Sequence, residues 1–139
     1  MILTCSACHS NNRVPAARLG DGAKCANCKV PLPTDVPLVV RTAAEFDELV
    51  RDAKVPVLVD YWAAWCGPCR AVGPELEKVA KERSGKLVVA KVDTEALPDV
   101  AGRFGIRSIP TLMLFRDGRE AKRVQGAMPK AAILAGLGL

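Results

Sequence analysis

All six cysteines of this 139-residue chain fall into three Cys-x-x-Cys pairs: "CSAC" at 5–8, "CANC" at 25–28 and "CGPC" at 66–69. Thiols at this spacing support two chemistries. A pair can close and open as a disulfide, or it can supply two thiolates to a metal ion. The first two pairs are separated by sixteen residues, the spacing of a four-thiolate zinc site. Cys5, Cys8, Cys25 and Cys28 would fill a tetrahedral coordination sphere and leave no open position for catalysis. A segment of about thirty residues buries too little apolar surface to fold unaided, so metal binding would supply much of its folding free energy. "CSACH" at 5–9 also matches a c-type haem attachment motif, and His9 is a possible substitute ligand. The second pair at zinc spacing and the lack of an export signal weigh against haem.

The third pair has different surroundings. It follows the apolar run "PVLVDYWA" (56–63), which reads as a central strand buried on both faces, and it opens a helical segment. A cysteine in the first turn of a helix faces backbone N–H groups and the positive end of the helix dipole. Both favour the thiolate, which is the reactive species. Cys66 is expected to be exposed and nucleophilic. Cys69, one turn deeper on the same face, is expected to be sheltered and to react second. The alternative reading is half of a metal site, or buried cysteines without chemistry. Asp60 is an anomaly within the apolar strand. A carboxyl buried in an apolar strand loses hydration, which disfavours its charged form.

The elements that must position these residues alternate in type. Residues 1–30 show no sustained helical or strand period, and Pro31, Pro33 and Pro37 mark a stiff linker. Beyond it, strand-like and helix-like segments alternate, as in an α/β domain. "PLVVR" (37–41) reads as a strand. Thr42 and Glu45 form a capping box ahead of a helix whose apolar face includes Phe46, Leu49 and Val50. A helix from Cys66 to about Arg83 contains Pro74, preceded by Gly73, which should kink and loosen it. "KLVVAKVD" (86–93) is another buried strand, and "TEALPDVAGRF" (94–104) a short helix. "PTLMLF" and "EAKRVQG" flank Asp117-Gly118 as a hairpin. A final helix starts near Pro129, and Gly136 and Gly138 predict fraying at its end.

From about Asp35 onward the chain resembles the thioredoxin family. "VDYWAAWCGPCR" (59–70), "SIPTLMLF" (108–115) and "VQGA" (124–127) match family motifs in order and at the family's spacing. The resemblance implies an α/β thioredoxin fold: a central mixed five-stranded sheet in the order first-third-second-fourth-fifth, flanked by helices. It implies that Cys66 is the attacking thiolate, Cys69 the resolving thiol and Asp60 the proton acceptor, with Lys91 near that acid. It also implies a cis Pro110 that sets the Ile109 backbone beside Cys66. Trp65, Gly67, Pro68, Ile109, Pro110 and Gly126 would border the substrate surface, where an extended segment pairs with backbone. The finger-like start, with "GIRSIPT" and "ERSGK", resembles a zinc-binding bacterial subgroup of the family. The domain division that follows is a zinc ribbon over 1–32 and a thioredoxin domain over 33–139.

Composition limits the rest. Half of the residues are hydrophobic and a quarter charged, a globular balance, and no apolar run is long enough to cross a membrane. The start has neither the basic flank nor the apolar stretch of a secretory signal, so the expectation is a cytoplasmic protein. The net charge of +5 comes from basic residues dispersed along the chain, and no aromatic-interleaved basic cluster points to nucleic acid. The expected function is protein-disulfide reduction. One structural Zn2+ is held per chain, and the redox chemistry uses no cofactor. Partners would be disulfide-containing proteins and an NADPH-dependent thioredoxin reductase. A competing reading is a zinc-ribbon binding module or redox-regulated chaperone that uses the thioredoxin fold for docking.

Overall fold

The computed structural model covers residues 1–139. Two short antiparallel strands, β1 (Ile2–Thr4) and β2 (Asn11–Arg13), begin the chain and pair Leu3 with Asn12. A 3-10 turn at Ala16–Arg18 follows. The larger part comprises β3 (Leu38–Val39), α1 (Ala43–Asp52), β4 (Val57–Trp62), α2 (Gly67–Glu82), β5 (Val88–Asp93), α3 (Pro98–Arg103), β6 (Thr111–Arg116), β7 (Arg119–Gln125) and α4 (Lys130–Leu137). Its sheet has the order β3-β5-β4-β6-β7. The β3-β5 and β4-β5 pairs are parallel, while β4-β6 and β6-β7 are antiparallel. This is the mixed five-stranded sheet expected from the sequence.

Because side chains alternate along a strand, each face of the sheet builds its own core. Val57, Val59 and Tyr61 face one way, with Phe46 and Leu49 of α1 and Val100 and Ala101 of α3. All three phenylalanines and the one tyrosine meet on this face. Phe104 lies 5.3 Å from Phe115 and 5.8 Å from Phe46, centroid to centroid. Leu58 faces the other way, with Leu112 and Leu114, under Val72, Leu76 and Val79 of α2 and Ile133, Leu134 and Leu137 of α4. Asp60, two residues after Leu58, therefore points into the α2 layer.

Several elements differ in extent from the sequence expectation. The first strand of the large sheet shrinks to two residues, and α3 begins only at Pro98, whose fixed φ suits the first helical position. The α2 helix runs through Gly73-Pro74 as one element. The α4 helix does not end early. A Cβ at Gly136 would lie 2.8 Å from Val124 Cγ1, so the missing side chain allows α4 to approach β7 closely. Gly138, at φ 69°, closes the helix in the left-handed conformation that glycine adopts without penalty.

The start of the chain is attached, not tethered. Leu3, Val14, Ala16 and Leu32 share one continuous core with Val40, Phe46 and Leu49. Two carboxylates of α1 then accept hydrogen bonds from its backbone. Glu45 Oε2 accepts from Ile2 N–H at 3.2 Å, and Glu48 Oε2 accepts from Ala16 N–H at 2.6 Å. The capping box is thereby altered. Thr42 Oγ1 accepts from Glu45 N–H at 3.1 Å as predicted, but Glu45 Oε1 reaches past Thr42 to Arg41 N–H at 3.0 Å. Replacing Glu48 by alanine leaves the Ala16 N–H without its acceptor. It should cost about 1–3 kcal/mol and speed amide exchange around residues 14–18, while β4 and β5 amides stay protected. Unchanged exchange around Ala16, followed by mass spectrometry, would show that the apolar contact alone holds the segment.

Candidate active site and zinc ribbon

The turn that leaves β4 is closed by Cys66 N–H donating to Ala63 O at 3.1 Å, and α2 starts one residue later. Cys66 is the N-cap of that helix. Its Sγ accepts from Cys69 N–H at 3.1 Å, so a backbone donor is aimed at the atom where thiolate charge would reside. The Cys66 and Cys69 sulfurs are bonded to each other, with their Cα atoms 5.2 Å apart. The expected contrast in exposure is not observed: each residue is 4% exposed. The bond between the sulfurs and the approach of Ile109 O, 3.7 Å from Cys66 Sγ, cover the first cysteine as well as the second. The pair lies at the floor of a collar formed by exposed Ala64, Trp65, Gly67 and Pro68.

The opposite wall is backbone. The Ile109–Pro110 peptide is cis, and Pro110 O accepts from Gly126 N–H at 2.9 Å. Thr111 Oγ1 donates to Ser108 O at 2.6 Å and closes the turn ahead of β6. Neither the N–H nor the C=O of Ile109 pairs with other backbone, which leaves a short bonding edge beside the sulfurs. Trp65 is 67% exposed, and its Nε1–H donates to Glu95 Oε1 at 3.1 Å. Glu95 has no signature in the sequence. It is placed by the turn after β5, where Asp93 Oδ1 accepts from Glu95 N–H at 2.9 Å.

Asp60 is 1% exposed, and neither carboxylate oxygen has a hydrogen-bond partner. Burial pushes its pKa up to about 7, against a smaller opposing pull from Lys91. Lys91 lies directly across the β4-β5 pair from Asp60. Its ammonium sits 4.3 Å from the centroid of the Trp62 ring and makes no ion pair with the carboxylate. A cleft of about 450 Å³, lined by Lys91, Gly73, Glu77 and Asp35 among others, opens this side of α2 to solvent.

The other four cysteines come together. Their sulfurs all lie within 4.8 Å of one another, with Cys5 and Cys28 at 3.5 Å and Cys8 and Cys25 at 3.6 Å. Four thiolates about 2.3 Å from a tetrahedral zinc ion would be about 3.8 Å apart, so the cluster fits that ion. Bonds with Asn27 and Ser10 pull the Cys8 thiol down to about 5. At Cys28 the Val30 N–H acts downward, but burial and the neighbouring sulfurs outweigh it and the thiol rises to about 11. Four sulfurs this close cannot all carry charge without a cation between them, because each thiolate disfavours its neighbours' ionisation. His9 is exposed and closes the first knuckle at φ 63° instead of joining the sulfurs.

Residues 37–138 match the thioredoxin family model, and residues 4–30 match the model for the N-terminal zinc ribbon of thioredoxin 2. The chain belongs to the thioredoxin family. It is 50% identical over 92 residues to thioredoxin 1 of a Nostoc species, covering 66% of this chain and 86% of that protein. It is 38% identical over 128 residues to thioredoxin C-3 of Corynebacterium nephridii, covering 92% and 87%. A mutant thioredoxin structure from Halobacterium salinarum superposes with a TM-score of 0.67 at 34% identity, covering 76% of this chain and 95% of that one. Like its relatives, this thioredoxin is a thiol–disulfide oxidoreductase, and its first four cysteines form the cluster of a zinc ribbon. No helix is long and apolar enough to cross a membrane.

The buried acid gives this thioredoxin a pH-dependent stability. The Asp60 carboxyl, ordinarily at 3.8, titrates at about 7 in the folded chain. Between those values the unfolded chain holds fewer protons, so stability is full below about pH 4 and declines as pH rises to about 7. Asp60→Asn removes the ionisation and should raise stability at about pH 8 by on the order of 2–4 kcal/mol, the gain vanishing near pH 4. Urea midpoints of the two proteins measured across that range check this. A difference independent of pH would place the ionisation elsewhere.

Proposed function

We propose that this thioredoxin works as a protein-disulfide reductase of a reducing, cytoplasmic compartment, with Cys66 as nucleophile. The observation that carries the reading is the Cys69 N–H aimed at Cys66 Sγ beside the unpaired Ile109 backbone. In the reduced enzyme the Cys66 thiolate attacks one sulfur of a client disulfide. A Cys66–client bond forms, and the other client sulfur leaves as a thiolate that takes up a proton. The Cys69 thiol then loses its proton to Asp60 and attacks Cys66 Sγ. This releases the second client thiolate and closes the Cys66–Cys69 bond, so two electrons pass from enzyme to client. A carboxyl titrating near 7 suits both halves of that proton transfer. Lys91 sets the field at Asp60.

The client segment would lie extended along Ile109, pairing with its N–H and C=O, with Trp65, Gly67, Pro68, Pro110 and Gly126 around it. Backbone pairing tolerates many client sequences. An NADPH-dependent thioredoxin reductase would return the pair to the dithiol. One zinc ion, held by Cys5, Cys8, Cys25 and Cys28, would stabilise a ribbon domain over 1–32 ahead of the thioredoxin domain over 33–139.

Cys66→Ser should lower insulin-disulfide reduction below about one thousandth of the parent rate, because no thiolate remains to start the exchange. Cys69→Ser should accumulate a mixed disulfide visible on a non-reducing gel. Ordinary turnover by Cys66→Ser would end the proposal. Zinc quantification with thiol titration through one oxidation–reduction cycle should give about one zinc and two cycling thiols per chain. Three cycling pairs would show that the ribbon takes part in the exchange.

A further inference from the structure

The ribbon gathers on one face charges that are spread along the chain. Residues 1–32 carry four cationic side chains, Arg13, Arg18, Lys24 and Lys29, against the single carboxylate of Asp21. Three of the four line one open depression of about 410 Å³, together with apolar Val14, Ala23 and Leu32 and no acidic residue. Arg13 and Lys24 form no ion pair, and Arg18 has only Asp21, at 3.9 Å with both side chains exposed. Like charges around a concave surface reinforce one another's potential, and an anion entering the concavity is drawn by all of them.

These cations do not neutralise the cysteine sulfurs by contact. The donors on the sulfurs are neutral: Ala7 N–H on Cys5 at 3.4 Å, Asn12 Nδ2 on Cys25 at 3.5 Å and Asn27 Nδ2 on Cys8 at 3.5 Å. The chemistry of the walls narrows the ligand. The ribbon contains no phenylalanine, tyrosine or tryptophan, so it has no platform on which a base could stack. An apolar floor with a cationic rim fits carboxylates interspersed with aliphatic side chains.

We infer that this depression docks an acidic, partly aliphatic peptide segment of a client protein. It shares no residue with the surface around Cys66 and Ile109, so filling one does not block the other. The inference rests on the proposed reductase function only for the role of the bound protein. The site itself is testable without a disulfide.

Full-length, zinc-loaded protein would be titrated by fluorescence anisotropy with a labelled, cysteine-free peptide of alternating Glu and Leu. A Lys-for-Glu counterpart and a single-stranded oligonucleotide of equal length serve as comparisons. The acidic peptide should bind. Its affinity should fall at least about tenfold in Arg13→Glu/Lys24→Glu, and by a smaller factor in Arg13→Gln/Lys24→Gln and on raising the salt. Zinc content and reduction of a small-molecule disulfide should not change in either variant. Three results would overturn the inference: no binding of the acidic peptide, binding unchanged in both variants, or tighter binding of the oligonucleotide. Loss of zinc with peptide affinity intact would assign these cations to balancing the ribbon's thiolates instead.

Discussion

The structure turns on one hydrogen bond, from the Cys69 N–H to Cys66 Sγ. It exists because α2 begins at Gly67, where the unpaired N–H groups of a helix start point back along its axis. That start is fixed by β4, which pairs on both edges and is covered on both faces. A strand so confined cannot shift register without moving every side chain it carries to the wrong face. The same confinement sets Asp60 beneath α2. The alternation that puts Leu58 in the α2 layer puts Asp60 there too, away from water, and desolvation does the rest. The N-cap cysteine and the buried acid are thus two outcomes of one strand-to-helix junction.

The ribbon depends on the same body. Its pair of three-residue strands cannot enclose a core, and Met1, Leu3, Val14 and Leu32 complete theirs against α1 and β3 of the larger domain. Glu45 and Glu48 then take up backbone donors that the short strands leave over. The cluster of four cysteines gathers the inside of the ribbon, and these contacts fix its place against α1 and β3.

What the sequence discloses is what local chemistry encodes. The Thr42 cap, the buried run 56–63, the Asp117-Gly118 hairpin and the order of elements all follow from neighbours within a few residues. The four clustered cysteines are legible because two short spacings and one longer one suffice to encircle an ion. Contacts between distant segments are not legible. Glu45 reads as a capping residue and serves also as an anchor for Ile2. Glu95 gives no sign that it holds the Trp65 indole. Gly136 reads as a weak point until Val124 is found against it. The position of Cys66 in the sequence points to an open sulfur, because a nucleophile must be reached. The sulfur bonded to it and the Ile109 carbonyl beside it belong to the oxidised geometry, which no spacing rule contains. Arg13, Arg18 and Lys24 look dispersed for the same reason: only the folded ribbon brings them round one hollow.

The three Cys-x-x-Cys pairs diverge at the residue after the second cysteine. His9 and Lys29 follow Cys8 and Cys28 with φ of 63° and 68°, and each donates its N–H to the carbonyl of the first cysteine of its pair, at 3.0 and 2.9 Å. Each knuckle is closed again by a bond from the first cysteine's N–H, to Ser10 O or Val30 O. A left-handed residue ends any helix at once, so the chain turns back and both sulfurs point inward to the ion site. Arg70 follows Cys69 within a helix, and its N–H also returns to the first cysteine, Cys66 O, at 3.3 Å. The bond closes the same number of residues, but the chain continues for twelve more in right-handed turns. The start of a full helix then bears on the Cys66–Cys69 pair and on no cysteine of the ribbon, which separates the disulfide-bonded pair from the two pairs of the four-sulfur cluster.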